Sequence, residues 1–303
     1  MSFSRAALTL FLLFPALTCA QTTDKLTMLE GSLKLIRGTA VYKVDRTFQG
    51  MQLRQGDLFE SSEGGFAQFE FAGGTIVALG PSSKVFLYRL STGHKRGAAP
   101  GQPVANLILL SGWLKGESSA TAGTFRYSNS LLSLASANGS ILIHLDAEGC
   151  DAYVESGSAI LDESPSEAGS KHTGAAKAGQ FFSRKAGKNL TTLTRPSPSF
   201  VQSMPIPFND TLPSLAAHYA DKKPPEPKTD HTVTFADLQP WLALPSGWRK
   251  GFVERFAPLL SDHEFRDQME ARLTQYPEWD PVLHPEKYQP ETAPPANNPE
   301  KPQ

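Results

Sequence analysis

The first two thirds of the chain consists of short segments in which apolar and polar side chains alternate, separated by turns that contain glycine. Residues 66–71 read Phe-Ala-Gln-Phe-Glu-Phe, a Gly-Gly pair follows at 73–74, and residues 75–79 are again largely apolar. A period of two places one face of a strand on a core and the other face in water. We therefore predict an all-β domain over residues 26–195, built as a sandwich, a jelly roll or a short β-helix of many short strands.

Two stretches within this region share the order apolar, Ser-Gly, apolar. They are residues 109–114 and 154–159, centred on Gly112 and Gly157. Serine and glycine favour turns between strands. The pattern therefore predicts, in each stretch, a strand, a tight turn and a returning strand.

Towards the C-terminus the spacing of apolar residues changes from two to three or four. Residues 232–276 carry Trp241, Trp248, Phe252 and Phe256 at helical spacing, which predicts a small α-helical segment. Helices this short are marginal when isolated, so their apolar faces need a partner. Either they pack on one another or on the β domain, or the four aromatic side chains form a surface on which another protein docks.

Glycine and proline divide the chain at the same places. All but two of the 24 Gly residues lie between residues 31 and 187, whereas eight prolines lie in 196–231 and eight more in 277–303. Proline-rich polar sequence buries too little apolar surface to fold alone. We predict a Pro-rich linker over 196–231 and a disordered Pro-rich tail over 277–303.

The N-terminus has the features of an export signal. Arg5 precedes an apolar stretch from Ala6 to Leu17, and small residues surround the expected cleavage point after Ala20. We predict a signal peptide over residues 1–20 and an exported mature protein that is periplasmic or secreted. Retention as an anchor and lipidation at Cys19 are the alternatives.

The composition of the mature chain bears on its partners and on its relation to the membrane. Cleavage would leave 28 basic and 30 acidic side chains and a single cysteine, Cys150. This near-neutral balance does not favour nucleic acid as a partner, because phosphate binding needs a concentrated basic surface. No later stretch is long and apolar enough to span a membrane, so we expect no transmembrane span in the mature chain.

No pattern of catalytic residues occurs in the sequence. None of the seven His residues belongs to an H-E-x-x-H motif, and the chain contains neither a nucleophile elbow nor a phosphate-binding loop. We expect no enzymatic activity, no metal site and no cofactor.

Turn residues follow one another in a particular order along the β region: Gly56 and Asp57, then Gly74 and Thr75, then Gly80, Pro81 and Ser83, then Gly112 and Gly157. This order resembles the FecR domain, the periplasmic domain of ferric-citrate-type regulators. The resemblance covers roughly 150 residues by the spacing of these motifs. We expect these residues to have structural roles in turns.

The resemblance implies a protein partner in the envelope. Regulators of this family usually join a cytosolic anti-sigma segment, one membrane span and the FecR domain, and they pass a signal from an outer-membrane receptor. Here Met1 begins the signal peptide itself, so the resemblance implies a stand-alone exported member. We expect an envelope interaction or sensory module that binds another protein, possible partners being an outer-membrane receptor or a membrane regulator. The alternative is a carbohydrate- or cell-wall-binding module that binds polysaccharide or peptidoglycan.

Overall fold

The computed structural model describes residues 24–91, 104–119, 123–163 and 173–288. The predicted signal peptide and residues 289–303 of the predicted tail lie outside these ranges. The described part of the chain is mostly β-structure followed by helices, which confirms that order in the sequence prediction.

Fifteen strands lie within the described ranges: β1 (Lys25–Glu30), β2 (Leu33–Arg37), β3 (Ala40–Val44), β4 (Leu58–Ser61), β5 (Phe66–Glu70), β6 (Ile76–Leu79), β7 (Lys84–Leu90), β8 (Ala105–Ser118), β9 (Phe125–Ser128), β10 (Ser133–Leu145), β11 (Gly149–Asp162), β12 (Thr173–Lys177), β13 (Phe181–Lys185), β14 (Thr191–Leu193) and β15 (Thr229–Thr232). The α-helices of the same ranges are α1 (Pro198–Ser203), α2 (Phe235–Leu242), α3 (Ser246–Phe256), α4 (His263–Glu270) and α5 (Asp280–Leu283).

Hydrogen bonds join these strands in one branched sheet. Its main path runs β14-β13-β11-β10-β9-β8-β7-β4-β2-β3-β15, and β1, β5, β6 and β12 pair outside this path. Strands β8 and β9 are parallel, whereas the other described pairs are antiparallel. Side chains from β1 through β13 meet in one central apolar core. The finer prediction of a sandwich, jelly roll or β-helix is not confirmed by this single branched sheet.

Three long strands, β8, β10 and β11, replace the short hairpins predicted around Gly112 and Gly157. Each is 13 or 14 residues long and continues through its glycine, so the predicted turns are wrong. Gly139 of β10 lies opposite Gly157 of β11, and both have positive φ. A Cβ on Gly139 would lie 2.1 Å from the carbonyl oxygen of Ser156, so only glycine allows this close approach.

The C-terminal helices cover one outer face of the sheet. Ile36, Leu58 and Phe86 of the strands belong to the same buried cluster as Trp241 of α2 and Trp279. Residues 277–288 continue this helical segment, so the prediction that a disordered tail begins at 277 is corrected. The prolines here start helical turns, where the missing N–H is not needed.

The predicted linker over 196–231 is corrected as well. It contains α1, single 3-10 turns at Ile206–Phe208 and Ala216–Tyr219, and β15. Phe200, Phe208 and Leu212 are buried against a second outer patch of the sheet. Proline and polar residues dominate the composition, but these three side chains and many main-chain contacts hold the segment in place. Residues 204–219 are called the strap below.

Candidate functional site

Five strands bring one side chain each into a row across the sheet. Strand pairing places Trp113 of β8 opposite His144 of β10, His144 opposite Asp151 of β11, Asp151 opposite Ser183 of β13, and Ser183 opposite Thr191 of β14. Directly paired residues share a face of the sheet. With strands about 4.8 Å apart, this cross-strand row is about 19 Å long.

The row forms the floor of two adjacent clefts. The first has a volume of about 470 Å³, and its walls include Asp146 and Glu148 from the β10–β11 turn and Lys188 and Asn189 from the β13–β14 turn. The second has a volume of about 520 Å³ and is lined by Trp113. His144 and Asp146 line both clefts. Volumes of this size are typical of ligand-binding sites.

Helix α1 borders both clefts. Ser197 and Ser199, at its start, line the first cleft, whereas Ser203 and Pro205, at its end, line the second. Between them the Phe200 ring packs on Trp113, with ring centroids 5.0 Å apart. The segment predicted to be a linker therefore helps to shape the site.

The motif residues Gly80, Ser83 and Gly112 meet beneath Trp113. The Ser83 hydroxyl accepts a hydrogen bond from the Trp113 amide at 2.8 Å and donates one to the Trp113 carbonyl at 3.0 Å. The Gly80 amide donates to the same carbonyl. Gly112 has φ near +90°, and a Cβ there would lie 2.5 Å from Ser83 Cα. These residues fix the backbone that presents Trp113, and Pro81 lines the second cleft.

His144 lies at the junction of the clefts as a largely neutral ring. It stacks on Trp113 with centroids 4.2 Å apart and an interplanar angle of 22°. Burial lowers the pKa of His144, and the charges of Asp146 and Asp151 oppose this shift only in part. A neutral imidazole offers one donor and one acceptor to a ligand.

Several polar side chains of the first cleft are not engaged within the described chain. Five side chains line the cleft and make no side-chain hydrogen bond or ion pair to another described residue. They are Asp151, Ser183, Lys188, Asn189 and Thr191. Buried polar groups are normally paired inside a protein, whereas groups in an open cleft are free to pair with a ligand. The first cleft is therefore equipped for a polar ligand.

Cys150 is not a reactive thiol in this arrangement. Its side chain is buried in the central core, and its sulfur accepts a hydrogen bond from the Asn129 amide at 3.1 Å. Burial raises the pKa of Cys150 to about 12, which disfavours the thiolate. Within the described ranges, no cluster of three or more His, Cys, Asp or Glu side chains is suited to hold a metal ion.

The four aromatic residues proposed for docking are buried in this structure. Trp241 and Phe256 are fully buried, Phe252 is 2% exposed and Trp248 is 5% exposed. Their apolar faces pack on the sheet and on one another, which is the first of the two alternatives given above. The prediction of a docking surface is therefore wrong for these four residues. They form an internal core, because they bury the apolar outer face of the sheet.

The motif residues Gly56 and Asp57 connect the helices to the sheet. Buried Asp57 accepts two hydrogen bonds from the Arg37 guanidinium, at 2.8 and 2.6 Å, and one from the Arg54 amide. The Gly56 carbonyl accepts a hydrogen bond from Arg255 of α3 at 2.6 Å. Burial lowers the pKa of Arg255 to about 10.

The other predicted motif residues also have local structural contacts. The Gly74 amide closes a turn by donating to the Phe71 carbonyl, and the Thr75 hydroxyl donates to Ser118 at 3.1 Å. Sequence reasoning missed the cross-strand row. Its members come from five strands, and only strand register shows that they are neighbours.

Comparison with known proteins gives only remote similarity. No family model matches the chain, and no curated protein matches it. Two crystal structures provisionally described as an anti-sigma factor from Parabacteroides distasonis are similar to it, with 11% identity and TM-scores of 0.36 and 0.37. The matched parts cover 46% and 48% of this chain but only 59% and 64% of those chains. Among the described residues, no helix is long and apolar enough to cross a membrane.

Proposed function

We propose that this protein is an exported, non-enzymatic interaction module of the bacterial envelope, of the FecR type, that binds an extended segment of a partner protein beside the cross-strand row. The observation that carries this proposal is the free edge of β14. No described strand pairs with its second edge, and its three residues are all exposed.

An extended peptide can add to such an edge through main-chain hydrogen bonds. Side chains alternate along β14, so Thr191 and Leu193 line the first cleft whereas Thr192 does not. Leu193 is 44% exposed, although it is a large apolar residue. The backbone of the partner would pair with β14, and its side chains would contact the row and Leu193.

The contacts of the row favour binding over catalysis. His144 Nδ1 is 4.0 Å from the nearest Asp146 carboxylate oxygen, too far for a hydrogen bond. Ser183 lies two strands away from His144, a separation of about 10 Å. A general base must lie within hydrogen-bond reach of its nucleophile, and this pair does not.

The resemblance to FecR domains supports a regulatory role for this binding. A module of this kind would act in trans, by bridging an outer-membrane receptor and a separate membrane regulator. The partner segment would then come from one of these two proteins.

A cell-wall glycan is the second candidate ligand. The specific observation in its favour is the stacked Trp113–His144 pair beside the unengaged Asp151 carboxylate and the Ser183 and Thr191 hydroxyls. Carboxylate and hydroxyl groups bind sugar hydroxyls by hydrogen bonds. Trp113 is only 6% exposed, however, so it offers little open surface for a sugar ring to stack on.

Site-specific photocrosslinking in the native envelope tests the proposal. Thr191→p-benzoylphenylalanine places the probe in the cleft, and the control Glu254→p-benzoylphenylalanine places it on the exposed side of α3, away from β14. We expect a defined protein to be captured from position 191 only, and Asp151→Asn to reduce that capture. Capture of glycan alone from position 191 would support the second candidate. Equal capture from both positions would refute a binding site at this cleft.

A further inference from the structure

The sheet face beneath the strap carries buried polar and charged side chains. Gln68 and Glu70 of β5 and Lys115 of β8 are 0%, 3% and 1% exposed. Side chains of this kind are rarely buried unless they are paired. Their partners include main-chain groups of the strap, and Lys115 also forms ion pairs with Glu117 and Glu155, at 3.1 and 3.2 Å.

Lys115 and Gln68 bind carbonyl oxygens of the strap. The Lys115 ammonium donates to the carbonyls of Phe208 and Asp210, at 3.0 and 2.9 Å. The Gln68 amide donates to the carbonyl of Pro213 at 2.8 Å. Lys115 and Gln68 therefore bind the backbone of the strap and not its side chains.

Glu70 and Glu117 bind N–H groups of the strap. The Glu70 carboxylate accepts from the amides of Leu215 and Ala216 and from the hydroxyl of Ser214. Glu117 accepts from the Leu212 amide at 3.2 Å. Donors and acceptors of the sheet face thus match carbonyl and N–H groups along one main-chain segment, residues 208–216.

Only two strap side chains are buried. Phe208 is fully buried beside Phe66, and Leu212 is 4% exposed, whereas Ile206 is 81% exposed. The main contacts of the groove are therefore with a backbone that follows the course of the strap and with two apolar side chains four positions apart. Many sequences other than the strap can make these contacts.

We propose that this face is a peptide-binding groove, that the strap occupies it as an internal competitor, and that a partner segment with the same apolar spacing and the same backbone course replaces the strap. Because the groove is lined by Glu70, Lys115 and Gln68, water can solvate it during the exchange, as it solvates the polar face of an ordinary antiparallel sheet. The strap is tethered at both ends and competes at an effective concentration in the millimolar range. A partner binds only where it overcomes this competition. The groove is a different surface from the β14 edge, so the two proposals fail independently.

The first test measures how tightly a labelled peptide of residues 204–219 binds to the full-length mature protein. The double substitution Phe208→Ala and Leu212→Ala weakens the internal strap without changing the groove. Fluorescence anisotropy should show the peptide binding this variant about tenfold more tightly, or better, than it binds the natural protein. A peptide in which the same two residues are alanine should not bind. Glu70→Gln, added to the double variant, should weaken peptide binding because it removes a charged acceptor.

A second protein keeps the test independent of the stability of the double variant. It carries a specific protease site at residues 221–223, which are exposed, so that cleavage releases one end of the intact strap. Peptide binding should tighten after cleavage. Equal binding before and after cleavage, or no binding to either protein, would overturn the proposal.

Discussion

Replacing Phe252 with alanine distinguishes a core residue from a docking residue. Phe252 is 2% exposed, and its ring lies between Phe86 of β7 and Phe256 of α3, with centroid distances of 5.5 and 5.6 Å. The substitution therefore removes contacts between the helices and the sheet. A residue that served only to bind a partner would lose that binding without loss of stability.

The expected loss follows from burial and from the cavity left behind. Burying a phenylalanine side chain contributes about 1.5–3 kcal/mol. Replacement by alanine leaves roughly 100 Å³ unfilled, which costs about 2.4 kcal/mol if the surroundings do not collapse. Partial collapse reduces the cavity contribution. We therefore expect Phe252→Ala to lower the free energy of unfolding by about 3–5 kcal/mol.

Urea unfolding measures this loss by two independent signals. Tryptophan fluorescence reports mainly on the helical cluster, which contains three of the four Trp residues, Trp241, Trp248 and Trp279. Far-UV circular dichroism reports mainly on the sheet. Both transitions should move together to lower urea with an unchanged slope. The matched control is Glu254→Ala, an exposed position on the same helix, which should change stability by less than about 0.5 kcal/mol. A loss below about 1 kcal/mol for Phe252→Ala, or separate transitions for the two signals, would refute a shared core.

Gly139→Ala places a Cβ against a carbonyl oxygen of the neighbouring strand, and urea unfolding should show a loss of about 2 kcal/mol or more. Gly174→Ala, where a Cβ meets open space, should change the free energy of unfolding by less than about 0.5 kcal/mol, and equal losses for the two variants would contradict the close approach at Gly139. Burial raises the pKa of Cys150 to about 12, so iodoacetamide at about pH 8 should label this thiol only in denatured protein; fast labelling of native protein would show that the thiol is accessible. A hydrogen bond to Asp237 raises the pKa of His231 above 6.5, so the stabilisation from protonated His231 is complete below pH 6.5 and is lost as the pH rises through the raised pKa. The stability difference between the natural protein and His231→Gln should shrink over that rise, and a difference that does not change with pH would contradict this coupling.

Local patterns were sufficient to locate many of the elements. The alternation in residues 66–71 and 75–79 corresponds to β5 and β6, and the apolar spacing beyond Thr234 corresponds to α2 and α3. Helix α2 begins with a capping box between Thr234 and Asp237, which is a local sequence signal as well. These signals depend only on residues that are close together in the chain, so they can be recognised in the sequence without the structure.

The candidate site could be predicted only in part. The sequence predicts turn positions for Gly80, Ser83 and Gly112. Their common position beneath Trp113, however, arises from the pairing of distant strands. Asp151 gave no signal, because a single carboxylate in an alternating strand is expected on any solvated face. Composition also misled the interpretation of residues 196–231. The number of prolines does not show that three buried apolar side chains and the polar groups of distant strands hold this segment on the sheet.

The sequence alone determined that this chain forms a β-rich region followed by short helices, because periods of two and of three to four are local properties. The tertiary structure decided which faces those elements share. Strand register brings the members of the cross-strand row together. Trp241 and Phe252 are buried against the outer face of the sheet, and Glu70 and Lys115 bind the strap. Each of these arrangements depends on contacts between residues far apart in the chain, and the pattern around any one residue does not record them.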